Sequence, residues 1–435
     1  MIYIALLILF VTLVIGVPVP FSFMASTAWL LFFGGPDMQG YSPTMVLPYG
    51  FSQMNSIVLL AICLFIVAGG IMEKGKIGEK LIDFVEVFVG RLKGGLGVVA
   101  TISCAVFGSI TGSGCATLSC IGSIMFPRLK QAGYPRGHSA ALLANSSVLG
   151  MLIPPSSIMI LYSWIGGQSV LASFLATVVP GIILTTLLSV VNIFLLRKNT
   201  TVLVEPPQPL SKTLRQASIK GKIALPALLM PVIVLGGIYG GIMTPTEAAA
   251  VACLYAVPVG FFIYKGLTWQ SFLETLKDSA VTTGVIMVML YAVMMLSRLY
   301  IMEDLPGKML VMLQSISENR YVILFMINIF LIIMGMLMDD ISSVMLTTPI
   351  LLPIILQLGF SPIHYAAIVG VNTGLGNITP PTAPMLYLSG RIGSSPINET
   401  LMPTLWMILF AWLPTLAVTT YWPTLSMWLP RLILG

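Results

Sequence analysis

Residues 127–157 read PRLKQAGYPRGHSAALLANSSVLGMLIPPSS, and residues 353–383 read PIILQLGFSPIHYAAIVGVNTGLGNITPPTA. The second stretch repeats the first without a gap. Gly133 and Gly359, His138 and His364, Gly150 and Gly376, and Pro154-Pro155 and Pro380-Pro381 all stand 226 residues apart. Ten of the 31 aligned positions are identical, and the two histidines of the chain occupy equivalent places. A Gly/Pro interruption at matching places in two apolar halves is the sequence mark of a transporter's binding site.

The rest of the composition agrees with a membrane setting. The chain has 435 residues, of which 57% are hydrophobic and 8% charged. Its mean hydropathy is +0.99. A soluble domain carries about 25% charged residues, so this is a polytopic membrane protein. The net charge of +6 does not indicate nucleic acid, because Lys and Arg fall between apolar runs, as the charge bias of membrane loops requires. The five cysteines lie in or beside apolar segments without CxxC spacing and read as helix-packing residues. Met1 leads almost directly into an apolar run without a basic n-region, which predicts a retained first helix.

Apolar runs predict crossing helices near 2–16, 19–34, 52–72, 138–164, 169–196, 223–243, 247–264, 279–302, 364–388 and 400–428. Two further runs, 95–127 and 321–353, are split by Ser109-Ile-Thr-Gly-Ser-Gly114 and by Asp339-Asp340-Ile-Ser-Ser343. Each half is short, which predicts helical hairpins that enter the membrane and return. Irregular backbone at that depth is tolerated only where it is buried in protein or lines a watery cavity. The fold class is therefore an all-α polytopic membrane protein of two inverted repeats, each with a re-entrant helical hairpin and a broken transmembrane helix.

Charge sets the orientation. Segment 197–222 holds Arg197, Lys198, Lys212, Arg215, Lys220 and Lys222 against Glu205, which predicts a cytoplasmic loop. Counting crossings from it places the base of the first hairpin, with Arg91, Lys93, Arg128, Lys130 and Arg136, in the cytoplasm. The base of the second, 353–363, has no Lys or Arg and falls outside. Both termini come out on the non-cytoplasmic side. Ile71-Met72-Glu73 and Ile301-Met302-Glu303 precede the hairpins, each followed by an amphipathic stretch, 76–92 and 305–318. In the first, Leu81, Phe84, Val85 and Phe88 share a face. Such stretches lie along the membrane surface, an ordinary connecting helix being the alternative.

The chemistry gathers at the breaks. Thr111-Gly-Ser-Gly114 pairs with Asn145 through Pro155, and Asp339 through Ser343 pairs with Asn372 through Pro381. Proline removes an N–H and frees an upstream carbonyl. Freed carbonyls with hydroxyls make an oxygen cage for Na⁺, and helix N-termini between two such cages favour an anion. Asp339 aligns with Ser113, so one cage carries a charge where the other has a hydroxyl. A pair of proline kinks that merely bend packed helices is the plainer alternative. Asp339 and Asp340 lie inside the apolar map, where an ionisable group is a functional candidate. Glu247, in Thr244-Pro-Thr-Glu247, fits a helix cap better than an ion ligand. Arg298 is placed either to attract an anion or to snorkel. The histidines, near opposite faces, make no metal site. Trp406, Trp412, Trp422 and Trp428 read as an interfacial or packing face. No Walker A pattern is present, which argues against ATP, and no catalytic constellation argues for an enzyme.

Gly108-Ser-Ile-Thr-Gly-Ser-Gly114, Ile153-Pro-Pro-Ser156, Thr244-Pro-Thr-Glu-Ala-Ala-Ala250 and Asn377-Ile-Thr-Pro-Pro381, in this order, resemble the large membrane subunit of tripartite ATP-independent periplasmic (TRAP) transporters over essentially the whole chain. The resemblance implies an elevator-type ion-transporter fold in the bacterial inner membrane. It also implies Na⁺-coupled import of an organic acid, such as a C4-dicarboxylate or a sialic acid. A periplasmic substrate-binding protein would deliver the cargo, and a small four-helix membrane subunit, here expected as a separate chain, would buttress the scaffold. It further implies one Na⁺ site from Thr111, Ser113, Gly150, Ile153 and Pro155, and a second from Asp339, Ser342, Gly376, Thr379 and Pro381. Ser156, Asn145, Asn372, Thr382 and Arg298 are the substrate-binding candidates. The corresponding division is 1–94 scaffold and first arm, 95–165 first transport part, 166–302 scaffold, 303–320 second arm, 321–390 second transport part, and 391–435 C-terminal helix. A stand-alone ion-coupled carrier or Na⁺/H⁺ antiporter of the same architecture is the alternative.

Overall fold

The protein was analysed as a computed structural model that describes residues 1–35, 40–197, 199–203 and 209–435. It is all-helical over these residues, and eight of its helices are long and apolar enough to cross a membrane. Lys198 and Glu205 of the predicted cytoplasmic loop lie outside the described residues.

The first group of helices is α1 (Ile2–Ile15), α2 (Val19–Phe33), α3 (Pro43–Met54) and α4 (Ile57–Lys74). Between α1 and α2 the chain turns at Gly16, whose φ of 91° is one that favours glycine. Later in the chain α12 (Leu210–Tyr239), α13 (Pro245–Pro258, continued by a π-type turn at Val259–Ile263) and α14 (Trp269–Met302) join this group. Helix α13 packs on α4 and α12, and α14 packs on α2, α3 and α4. The predicted loop 197–222 is thus shorter than charge alone suggests, because α12 starts at Leu210. Likewise the predicted helix at 52–72 is two helices, broken at Asn55-Ser56.

Two amphipathic helices lead into the hairpins: α5 (Ile77–Val89) and α15 (Leu305–Ile316). The face of α5 that is buried is Ile77, Leu81 and Ile82, whereas Phe88 is exposed. The predicted face 81/84/85/88 differs because α5 is covered twice. It packs on the first hairpin and on α12, where Phe84 meets Gly221.

The hairpins are α6 (Gly95–Thr111) with α7 (Gly114–Gln131), and α16 (Arg320–Leu337) with α17 (Asp340–Gln357). Thr111 and Leu337 end the first arms, and Gly114 and Asp340 begin the second, so the offset of 226 holds at both tips. The second split falls at Met338-Asp339 rather than at 339–343, since Asp339 caps α17 and the next residues are helical.

The broken helices follow. In the first copy α8 (Arg136–Ser147), α9 (Leu149–Leu152) and α10 (Ser157–Gly166) bend by 43° across Pro154-Pro155. In the second, α18 (Pro362–Ile378) and α19 (Pro384–Ile392) flank Pro380-Pro381. Close approach at the breaks demands glycine. A Cβ on Gly108 would meet the backbone of Gly150, and one on Gly376 would meet the backbone of Gly335 at 2.6 Å.

Helix α11 (Val170–Leu196) has its counterpart in α20 (Ile397–Met407), a π-type turn at Ile408–Trp412 and α21 (Leu413–Tyr421). The predicted helix at 400–428 ends at Tyr421. Trp422 is held at φ −121°, ψ 77° before Pro423, which opens α22 (Pro423–Leu434). Helix α11 packs on α6, α18 and α22, and α20 packs on α8.

Candidate functional site

The first tip is tied to its own broken helix. Ser113 caps α7, its Oγ accepting from Ala116 N–H at 3.5 Å. Thr117 Oγ1–H donates to Ser113 O at 2.8 Å, and Thr111 and Thr117 hydroxyls are 3.0 Å apart. Across the gap, Ser157 Oγ–H donates to Gly112 O at 3.0 Å. A Cβ on Gly150 would meet Thr117 Oγ1 at 2.8 Å, and Ile153 packs on Gly181 of α11. The two prolines have no N–H, so the carbonyls of Gly150 and Met151 lose the donors that residues 154 and 155 of a helix supply. Hydroxyls and carbonyls thus gather around this break.

The second tip has the same plan with a carboxylate in it. Asp339 Oδ2 accepts from Ser342 N–H at 3.2 Å, and Oδ1 accepts from Ser342 Oγ–H at 2.5 Å. In the break, Thr379 N–H donates to Gly376 O at 3.1 Å, and Thr379 Oγ1–H donates to Leu375 O at 2.6 Å. Pro381 leaves the Asn377 carbonyl without its helical donor. The side-chain oxygens of Ser343 and Asn377 are buried with no hydrogen-bond partner. A buried polar atom left so costs about 1–3 kcal/mol, and an oxygen in that state is suited to a hard cation. The hydroxyls, carbonyls and carboxylate gathered at the two breaks are oxygen ligands, the type such ions take.

The breaks also touch each other. Asn377 Nδ2–H donates to Met151 Sδ at 3.7 Å, and a Cβ on Gly374 would meet Val148. Both pairs are 226 residues apart, so the local symmetry axis passes between the two breaks.

Between the tips and the first helix group lies a cavity of 580 Å³. Thr111, Ser113, Cys115, Ala116 and Ser157 line it from one copy, and Asp339, Asp340 and Ile341 from the other. These residues lie at the tips or in the first turns of α7, α10 and α17, so three helix N-termini border the same space. The facing wall is α4, with Gly69, Gly70, Glu73 and Lys74, and α14, with Thr275, Asp278, Ser279 and Thr282. Ser342 Oγ lies 2.7 Å from Met289 Sδ of α14, so the second tip meets this wall directly.

The substrate-binding candidates stand elsewhere. None of Ser156, Asn145, Asn372, Thr382 and Arg298 lines this cavity. Asn145 is consumed by its neighbours: Nδ2–H donates to Ala141 O at 2.7 Å, and Oδ1 accepts from Trp412 Nε1–H at 3.0 Å. Asn372 Nδ2–H bridges Asn328 Oδ1 at 2.8 Å and Ile368 O at 2.9 Å, and Asn328 goes on to Thr420 Oγ1 at 3.0 Å. Arg298 stacks on the ring of Tyr49, 5.1 Å from its centroid. Thr382 is exposed, and Ser156 is buried with its hydroxyl unpartnered. Trp412 of the predicted interfacial face is itself fully buried.

The structure also settles two plainer roles. Glu247 Oε2 accepts from Thr244 N–H at 2.8 Å while Thr244 Oγ1 accepts from Glu247 N–H at 3.3 Å, a complete capping box. His138 Nε2 pairs with Asn192 Oδ1 at 2.9 Å, and His364 Nε2 with Thr419 O at 2.8 Å. Sequence reasoning missed the α14 wall. Its signal was present: Thr275, Asp278, Ser279 and Thr282 recur at helical spacing, but the predicted helix began only at 279.

Residues 6–425 match the family described as tripartite ATP-independent periplasmic transporter, DctM component. The chain is 32% identical over 410 residues to the isethionate TRAP transporter permease protein DctMQ of Oleidesulfovibrio alaskensis, covering 94% of this chain and 63% of that one. It thus spans under two thirds of that relative. It is 33% identical over 372 residues to the C4-dicarboxylate TRAP transporter large permease protein DctM of Pseudomonas aeruginosa, covering 85% of this chain and 86% of that one. In fold it is similar to the YdaH transporter of Alcanivorax borkumensis, with a TM-score of 0.60 and 14% identity over 88% of each chain.

Proposed function

The chain belongs to the DctM-component family of tripartite ATP-independent periplasmic transporters, and from that premise we propose that it is the large permease subunit of a Na⁺-coupled importer of an organic acid delivered by a periplasmic binding protein. One observation carries this reading. A single cavity has both hairpin tips on one side and the helix wall α4/α14 on the other. A rigid unit holding both tips can then present one site alternately to either face by sliding along that wall.

The charges of the cavity support ion coupling. Glu73, Asp278, Asp339 and Asp340 line it against Lys74 alone. An organic anion entering such a space meets like charge, whose cost is relieved by three helix N-termini and by cations held at the tips. Thr111, Ser113, Gly150, Ile153 and Pro155 are the proposed ligands of one Na⁺. Asp339, Ser342, Gly376, Thr379 and Pro381 are those of the other. The names of the relatives, C4-dicarboxylate and isethionate, both denote organic acids and support that class of cargo. A small membrane subunit and a binding protein complete the proposed assembly in the bacterial inner membrane. There both termini face the periplasm, and segment 197–222, with its excess of basic residues, faces the cytoplasm.

The test is uptake into proteoliposomes containing this chain and a candidate small subunit, with labelled acid presented on the binding protein. Asp339→Asn is expected to lower Na⁺-driven uptake about tenfold or more, since losing a charged ligand removes on the order of 1.5–3 kcal/mol. Uptake with unchanged rate and Na⁺ dependence would refute the second site. Uptake that proceeds equally without any binding protein would favour a stand-alone carrier.

A further inference from the structure

A second cavity, of 350 Å³, lies away from the tips between α1, the arm α15 and the second hairpin. It shares no lining residue with the cavity at the tips. Leu9 and Leu13 of α1, Met309 of α15, Met334 of α16, and Leu346 and Ile350 of α17 represent its walls. Its volume falls in the range of small-molecule sites, roughly 300–1,000 Å³. Its walls are almost wholly apolar, and apolar walls do not hold ordered water. The occupant is therefore apolar.

The rim shows where that occupant comes from. Tyr3, Phe10 and Met312 border the crevice and are 69%, 51% and 56% exposed, on faces that meet lipid in a membrane-spanning chain. Arm α15 turns Leu305, Lys308, Met309 and Met312 into the crevice, the spacing of one helix face. Val311, off this face, and Ile316, one turn beyond Met312 on it, are also exposed, as for a helix lying in the interface. Lys308 is the one charged residue of the lining. Its Nζ is 3.8 Å from Glu303, whose carboxylate is held by Gly35 N–H and Tyr41 O–H. Exposed Asp304, the cap of α15, is beside it. A cation and carboxylates this close together match the phosphate and ammonium of one zwitterionic head group.

We propose that this crevice is a binding site for one membrane glycerophospholipid, with an acyl chain between α1 and the second hairpin and a phosphoethanolamine head group at Lys308 and Asp304. The inner end of the crevice is Leu337-Met338, adjacent to Asp339, so the chain braces the second tip from behind. The proposal does not rest on the transported substrate or on Na⁺.

A phosphatidylethanolamine with a diazirine at the end of one acyl chain, reconstituted with the full chain and photolysed, tests it. Labelled peptides should concentrate in 3–13, 305–312 and 334–350. Met309→Trp or Leu6→Trp, which fill the crevice, should lower labelling there about tenfold without changing labelling of α12. Lys308→Glu, which reverses the charge at the rim of the crevice, should lower the number of lipids retained per chain in native mass spectrometry of the detergent-purified protein. Labelling spread evenly over all lipid-facing helices, or unchanged in the filled variants, would overturn the chain site. Equal labelling by a diazirine fatty acid without a head group, with Lys308→Glu silent, would overturn the assignment of the head group.

Discussion

A carboxylate at the start of a helix is ordinarily a cap, and Asp339 is one, accepting from Ser342 N–H and Oγ–H. What separates it from Glu247, another acidic residue in a capping motif, is the surroundings. Glu247 is exposed beside Thr244, whereas Asp339 faces a cavity shared with Asp340, Asp278 and Glu73. Asn145 and Asn372, substrate-binding candidates in the sequence, also make internal hydrogen bonds in the structure, and Asn372 Oδ1 stays buried without a partner. Their partners, Trp412 and Asn328, lie 267 and 44 residues away, so nothing local announces them. Trp412→Phe leaves Asn145 Oδ1 buried and unpaired. It is expected to lower stability by about 1–3 kcal/mol, seen as a lower melting temperature in detergent, with the Na⁺ dependence of uptake unchanged. A shift in Na⁺ dependence without loss of stability would place Asn145 at the ion site instead.

At the scale of elements, the repeat is more regular in the structure than in the letters. Only ten of 31 aligned residues agree, yet both tips and the ends of α7 and α17, at Gln131 and Gln357, keep the offset of 226. Helix breaks were legible because glycine and proline act through the backbone alone. Which helices pack together was not, because α11 and the long helices of the first group are all apolar enough to cross a membrane. Sequence hydropathy does not say which apolar face meets which. The hairpin bases remain distinct in charge. Arg128 at the first is 2.8 Å from both Asp83 and Glu86 of α5, and 353–363 has no basic residue. Single cysteines at Lys130 and at Gln357 should therefore react with a membrane-impermeant maleimide from opposite sides of inside-out and right-side-out vesicles. Reaction of both from the same side would refute the inverted arrangement.

At the scale of the molecule, the contact between the second tip and α14 couples the hairpins to the first helix group. Ser342 Oγ and Met289 Sδ are 2.7 Å apart, so cysteines at the two positions face each other within reach of a short cross-linker. A Met289→Cys/Ser342→Cys pair, with the native cysteines replaced, should be bridged by a short bis-methanethiosulfonate. If the tip slides past this wall, the cross-link should stop uptake, and a reductant should restore it to the level of the untreated pair. Uptake at full rate through the cross-linked protein would show that the tip and wall do not move apart. The membrane setting, the doubled hairpin-and-break unit and the residues with oxygen to offer are all legible in the letters, because each follows from composition, backbone chemistry and a fixed spacing. The folded chain alone shows that the two tips share one cavity, that α4 and α14 form its other wall, and that an apolar crevice stands behind the second tip. Such juxtapositions depend on which apolar faces pack together, and burial of apolar surface is non-directional, so its partners appear only in the folded chain.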